Sequence, residues 1–298
     1  MTPRHTRRKD LPAAMVAARR RRIPSMGGSE QRLVKALLIG TAILFLLAVL
    51  VVPLLEVFLT AFRDGPVHYW EAISDSETAN AIRLTLIAVA ISVPLNTLFG
   101  IAAAMAITRW DFPGKRLLVS FIDIPFAVSP VISGMIFVLL FGADSLLGPW
   151  LGAHGVKVIF AVPGIVLVTM FVTFPFVARE LIPVMQMQGS DHELAALTLG
   201  ASPLQTFFRV TLPNIRWGLF YGMTLCAARA VGEFGAVSVV SGHIRGETNT
   251  MPLHVEVLYN EYQFSAAFAV ATLLVIVAIL TLGIKAVAEW KEQRGHHR

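Results

Sequence analysis

Between Leu84 and Thr108 the chain reads LTLIAVAISVPLNTLFGIAAAMAIT, a run without a single charge. It is longer than the roughly 20 residues a helix needs to cross about 30 Å of hydrocarbon. Three other runs are equally uncharged: Ala36–Leu55, Val158–Ala178 and Phe264–Ile284. Two more are apolar but hold ionisable residues, Leu117–Ala143 with Asp123 and Trp217–Ile244 with Arg229 and Glu233. The bilayer core offers no water, so backbone groups must bond internally and each run predicts a helix. The expectation is an all-α membrane protein with six transmembrane helices, at about 33–59, 83–108, 117–143, 158–178, 213–241 and 264–288.

Composition points the same way. The 298 residues are 55% hydrophobic and 15% charged, with mean hydropathy +0.68; a soluble domain carries about 25% charge. The net charge of +6 reads as topology, not as a nucleic-acid surface. Lys and Arg number nine in 1–32, three in 109–116, two in 179–212 and four in 285–298. The alternate loops hold one each, Arg63, Lys157 and Arg245. The positive-inside rule then puts both termini and the 179–212 loop in the cytoplasm. Residues 1–32 form a basic tail, 33–288 the membrane domain and 289–298 a second cytoplasmic tail. The Arg19–Arg22 cluster suits a topology anchor and also suits contact with anionic lipid. The first apolar run exceeds the core of a secretion signal, so it is expected to be retained. A lone cysteine, Cys226, excludes an intramolecular disulfide.

Prolines punctuate the spans at Pro53, Pro94, Pro125, Pro130, Pro163 and Pro175. Each removes a backbone donor and tends to kink its helix. Pro125 and Pro130 flank Ser129 and lie near Asp123. An intramembrane ionisable residue is a functional candidate by default, so Asp123 and Ser129 are candidates for a transport pathway.

In the fifth span Gly218, Gly222, Cys226 and Ala230 recur every four residues and form one small-residue stripe, suited to close helix packing. Arg229 and Glu233 are four apart and can pair. They must face protein or water. Two readings stay open for them: a pathway or gate element, or a neutralised pair that holds the helix to its neighbour.

The longest cytoplasmic loop reads SDHELAALTLGASPLQTFFRVTLP from Ser190 to Pro213. Ser190 and Glu193 have the spacing of a capping box. A short helix is expected over Glu193–Leu199, ending at Gly200, with Ser202-Pro203 opening another. Leu194, Ala195, Leu197, Thr198 and Leu204 would form a compact apolar face that a partner's groove can receive. The outer loop 242–263 mixes charge (His243, Arg245, Glu247, Glu256) with Tyr259 and Tyr262. It suits either contact with a second protein or simple capping of the bundle.

Catalytic signatures are missing. No Gly-x-x-x-x-Gly-Lys-[Ser/Thr] run exists, so the chain has no P-loop. No His-Glu-x-x-His or other paired metal-ligand spacing occurs in a span, and all eight histidines lie outside the spans. A membrane-embedded enzyme is disfavoured. So is a lone ion-coupled carrier, which needs coupling-ion sites and usually inverted repeats.

The 190–213 loop resembles the EAA loop of ABC importer permeases, whose consensus is Glu-Ala-Ala, three residues, Gly, nine residues, Ile-x-Leu-Pro. Ala195, Ala196, Gly200, Val210, Leu212 and Pro213 fall in register. The consensus Glu position holds Leu194, and the carboxylate sits one residue earlier at Glu193. The string Ala228–Ala236, ARAVGEFGA, looks like the signature of sulfate and molybdate permeases. Ile122–Pro130, Arg179–Val184 and Val237–Thr248 extend the match to W-type sulfate/thiosulfate permeases.

This resemblance implies a type I (MetI-like) permease bundle in a bacterial inner membrane. It implies a second permease subunit (a T-type paralogue), two ABC ATPase subunits that bind ATP and Mg, and a periplasmic sulfate- or thiosulfate-binding protein. No cofactor belongs to this chain, and no nucleic acid is a partner. Glu193, Leu194, Ala195, Ala196, Gly200, Leu212 and Pro213 would make the ATPase-coupling loop. Asp123, Ser129, Arg229 and Glu233 are the pathway candidates, and His243, Arg245 and Glu247 the binding-protein contacts. Another oxyanion, such as molybdate, is the alternative cargo.

Overall fold

The computed structural model describes residues 28–295 except Leu146. Most of the basic tail expected at 1–32, Arg19–Arg22 included, lies outside the described residues, as do the last three residues of the C-terminal tail. Two compact units divide at Leu55 and Glu56.

In the first unit, α1 (Gly28–Leu46) runs into a π-helical turn, Leu47–Val51, and then α2 (Val52–Ala61) begins. The wide turn has a local cause. Pro53 cannot donate and crowds the carbonyl four residues back, so the turn before it opens and Val52 N–H bonds to the Leu47 carbonyl. The same device recurs before Pro213, where Leu212 N–H bonds to the Phe207 carbonyl.

The second unit continues with α3 (Pro66–Ser74), α4 (Ser76–Arg109), α5 (Lys115–Ala127), α6 (Pro130–Phe141), α7 (Gly148–Ala153) and α8 (Val162–Gln188). Then come α9 (Asp191–Thr198), α10 (Pro203–Thr206), a π turn (Phe207–Thr211), α11 (Leu212–Val231), α12 (Gly235–Ser241), α13 (Met251–Asn260) and α14 (Phe264–Gly295). Among the described residues there is no strand. Among these residues four helices are long and apolar enough to cross a membrane, and two bent pairs bring the total to at most six.

The bent pairs revise two expected spans. Instead of one helix over 117–143, α5 and α6 meet at 109°. Pro130 opens α6, and the residue before a proline is pushed out of the α region; Ser129 is extended at φ −57°, ψ 138°. Instead of one helix over 213–241, the helix from Pro203 to Val231 and α12 meet at 52° around Gly232–Phe234. The fourth helix also runs ten residues past its expected end, to Gln188. Arg179 is therefore inside a helix and not in the loop.

Helix α8 is the core of this unit. Its Ile165, Val168, Val177, Ala178, Leu181 and Met185 have no exposure. Small residues let neighbours close on it: an added Cβ at Gly100 of α4 would lie 2.6 Å from Val177, and one at Gly222 of α11 would lie 3.0 Å from the Val177 Cα. The expected stripe of α11 is confirmed, with Gly218, Gly222, Cys226 and Ala230 all buried. At its centre Asn96 of α4 donates to the Met170 carbonyl at 3.1 Å and to Thr173 Oγ1 at 2.8 Å. Such bonds satisfy polar groups that water cannot reach.

Candidate functional site

The hairpin α9–α10 stands at one end of α4. Helix α9 ends in a Schellman turn. Gly200 is left-handed at φ +89°. Its N–H bonds to the Leu197 carbonyl, and the Ala201 N–H to the Ala196 carbonyl. The second helix opens with a capping box, but its partners are Ser202 and Gln205. The box expected at Ser190 and Glu193 does not form, since Ser190 makes no side-chain cap bond.

Glu193 is used differently. Its carboxylate takes Arg109 at both oxygens, Nη2 to Oε1 at 2.9 Å and Nε to Oε2 at 2.7 Å. Thr211 Oγ1 donates to the same Oε1 at 2.8 Å. One largely buried carboxylate thus joins α9 to the end of α4 and to the turn that leads into α11. It faces inward, while Leu194 at the consensus Glu position is exposed. Leu197, Leu199, Leu204 and Phe208 are exposed as well, Leu199 at 89%. Ala195 is exposed and Ala196 half-buried, while Leu212 and Pro213 begin α11.

The opposite end of α4 carries the outer connections. From Glu77 to Arg109 the helix rises about 48 Å, more than a bilayer core. There Asp75 caps α4 by accepting from the Glu77 and Thr78 N–H groups. His254 of α13 is 2% exposed and meets Thr78 Oγ1 at 3.1 Å. Burial pushes its imidazole below the usual value; Glu77 and Asp75 oppose that, and Arg245 adds to it. Arg245 pairs with Glu77 at 3.5 Å and also with Glu261, and His243 lies 3.3 Å from Glu256. Two of the three expected binding-protein contacts are therefore engaged within the chain, while Glu247 is exposed.

The intramembrane candidates form two separate ion pairs. Arg229 meets Glu233 at 2.7 Å. Glu233 lies in the break between α11 and α12, 2% exposed, and its other oxygen accepts from the Ala236 N–H at 2.9 Å. It caps the short helix α12, which packs against α6 where Gly134 faces the Ala236 carbonyl and Gly235 faces Pro130. Asp123 pairs with Arg179 at 2.8 Å, and the Arg179 guanidinium also lies 4.8 Å from the Phe126 ring centre. Ser129 is exposed at the α5–α6 break and makes no cap bond.

Sequence reading missed Arg109, Thr211, Arg179 and Asn96. Arg109 and Arg179 each end an apolar run and read as interface residues. Only packing shows which carboxylate each one meets.

Residues 96–294 match the family described as binding-protein-dependent transport system inner membrane component. The sulfate transport system permease protein CysW of Escherichia coli is 48% identical over 271 residues, covering 88% of this chain and 93% of that protein. The sulfate transport system permease protein CysT of Escherichia coli is 33% identical over 244 residues, covering 82% and 88%. A crystal structure of a bacterial alginate ABC transporter, in complex with an alginate-bound periplasmic protein, shares the fold at TM-score 0.71 and 17% identity, covering 89% of this chain and 96% of that one. This chain belongs to the binding-protein-dependent transport system inner membrane components, the permease subunits of ABC importers.

Proposed function

We propose that this chain is the W-type permease subunit of an importer that drives sulfate or thiosulfate into the cytoplasm with ATP. The observation that carries the cargo is 48% identity to sulfate permeases along almost the whole of both chains. In this reading the bent pairs each count as one span, giving six, and both termini are cytoplasmic. The lysine and arginine distribution supports that orientation. Contacts at the two ends of α4 agree with it: the 190–211 hairpin gathers at Arg109, and 245–261 gathers at Glu77 and Thr78.

The chain pairs with a T-type permease, and two ATPase subunits supply ATP and Mg. The hairpin 191–206 docks on an ATPase through Leu194, Leu197, Leu199 and Leu204. A periplasmic protein delivers the anion at the outer end, where Glu247 remains open to contact. Closure of the ATPase pair biases the bundle between two arrangements. The Glu193 clamp carries that bias to α4 and α11 together.

The test is reconstitution with the three partners in proteoliposomes and uptake of radiolabelled sulfate, with thiosulfate and molybdate as competitors. ATP-dependent sulfate uptake that needs the binding protein is the expected result. Molybdate uptake in its place would shift the cargo to another oxyanion. Uptake without an ATPase chain would point to a stand-alone ion-coupled carrier and overturn the reading.

A further inference from the structure

The two intramembrane ion pairs differ in a way that assigns them different roles. Glu233 is 1% exposed in its side chain, and each of its oxygens is engaged, one by Arg229 and one by the Ala236 N–H. Releasing it would strand a buried carboxylate and uncap α12, so this pair is locked. Asp123 and Arg179 are 40% and 54% exposed and share a single contact, Nε to Oδ1. The two terminal nitrogens of Arg179 make no hydrogen bond among the described residues, and its face rests on Phe126. The second oxygen of Asp123 likewise accepts none among the described residues.

This open pair borders a groove of about 290 Å³ lined by Val119, Ile122, Asp123, Arg179, Ile182 and Pro183. That is room for on the order of ten waters. Arg179 lies nine residues from the end of α8, at the edge of its apolar run. A half-exposed ion pair at such a place faces protein or water and not lipid. A guanidinium presents two parallel donors that match the edge of a tetrahedral oxyanion.

We propose that Arg179 is an oxyanion contact on the transport path, and that Asp123 is its displaceable counter-ion. With no cargo present, Asp123 keeps the guanidinium neutralised within the membrane. An arriving dianion takes the free donors and outcompetes the single carboxylate charge. Return of Asp123 then helps to expel the anion toward the cytoplasm. The site discriminates by charge, because a monoanion has no electrostatic advantage over the carboxylate it must displace. The proposal rests on the oxyanion-import reading above.

The experiment uses the whole complex in nanodiscs for binding of radiolabelled sulfate without the binding protein, and in proteoliposomes for uptake. Arg179→Gln is expected to lose sulfate binding and to lower uptake by about tenfold or more, the scale of one charge-assisted hydrogen bond. Asp123→Asn is expected to tighten sulfate binding by a similar factor and to admit competition by nitrate, which the unaltered protein is expected to resist. Adding Asp123→Asn to Arg179→Gln should restore ATPase co-purification if it was impaired, but not uptake. Full uptake in that double variant would overturn the proposal and reduce the pair to packing. So would unchanged sulfate binding in Arg179→Gln. If the unaltered complex carries a different oxyanion, the cargo reading fails alone, and the same variants test this site with that anion.

Discussion

Glu193 and Arg109 are 84 residues apart in sequence and joined by two contacts, of 2.7 and 2.9 Å, between a carboxylate and a guanidinium that are both mostly buried. This pair, with Thr211, fixes the exposed hairpin to two helices that traverse the bundle. Motion of the hairpin therefore moves the end of α4 and the start of α11 together. A hairpin held by a flexible loop would swing without doing so.

Breaking that clamp should uncouple. Arg109→Ala leaves a buried carboxylate without its cation, a loss on the order of 2–3 kcal/mol in hairpin docking. Membrane insertion should persist, the hairpin should become sensitive to protease, and the number of ATP hydrolysed per anion imported should rise. Exchanging the two charges, Arg109→Glu with Glu193→Arg, should return part of the coupling. Unchanged stoichiometry in Arg109→Ala would show that the clamp transmits nothing.

A Cβ added at Gly200 would meet nothing within 4 Å in this chain, so the effect of a side chain on the hairpin's own fold is conformational, from its φ of +89°. Gly200→Val should cost about 1–2 kcal/mol in the turn. Co-purification of the ATPase subunit should fall, and coupled transport with it. Gly200→Asn should be far milder, because Asn tolerates the left-handed region. Equal behaviour of the two variants would refute the assignment of the turn.

For Arg229 and Glu233 the expected result is rescue. Arg229→Ala strands the carboxylate of Glu233 in a site that is 2% exposed, and assembly should fall. Arg229→Ala with Glu233→Gln removes both charges and keeps an acceptor for the Ala236 N–H. Assembly and uptake should both recover in that variant, measured by co-purification and sulfate uptake. Recovered assembly with absent uptake would place Arg229 on the anion's path.

His254 predicts an acid-sensitive outer end. Burial lowers its pKa from the ordinary 6.5, so the packed form takes up a proton less readily than the opened form. Its contribution to stability is then complete above about pH 6.5 and is lost as pH falls from there toward the depressed value. Protease nicking within 242–263 should increase at about pH 5.5 relative to about pH 7.5. Glu77 and Asp75, which raise the pKa, and Arg245, which lowers it, act on the same ring. His254→Gln should remove the pH dependence. An equal pH response in that variant would assign it to another group.

Much was legible in the linear sequence for a simple reason. Hydrocarbon imposes length and apolarity on every span, and both are local properties. The four uncharged runs became helices, the small-residue stripe Gly218–Ala230 became the buried face of α11, and Gly200 became a left-handed turn because no other residue enters that region so cheaply. The Ser202 cap was equally local. Tertiary structure decided the rest. Ser190 and Glu193 have the spacing of a cap, yet the Glu193 carboxylate goes to Arg109, since a buried guanidinium at 2.7 Å binds it more strongly than a solvated N–H does. Pro130 broke its span while Pro94 and Pro175 sit inside continuous helices, a difference set by what packs around each one. Which carboxylate neutralises Arg179, and which of two ion pairs stays open, depends on helices far apart in sequence meeting face to face; no spacing rule along a single chain encodes those encounters.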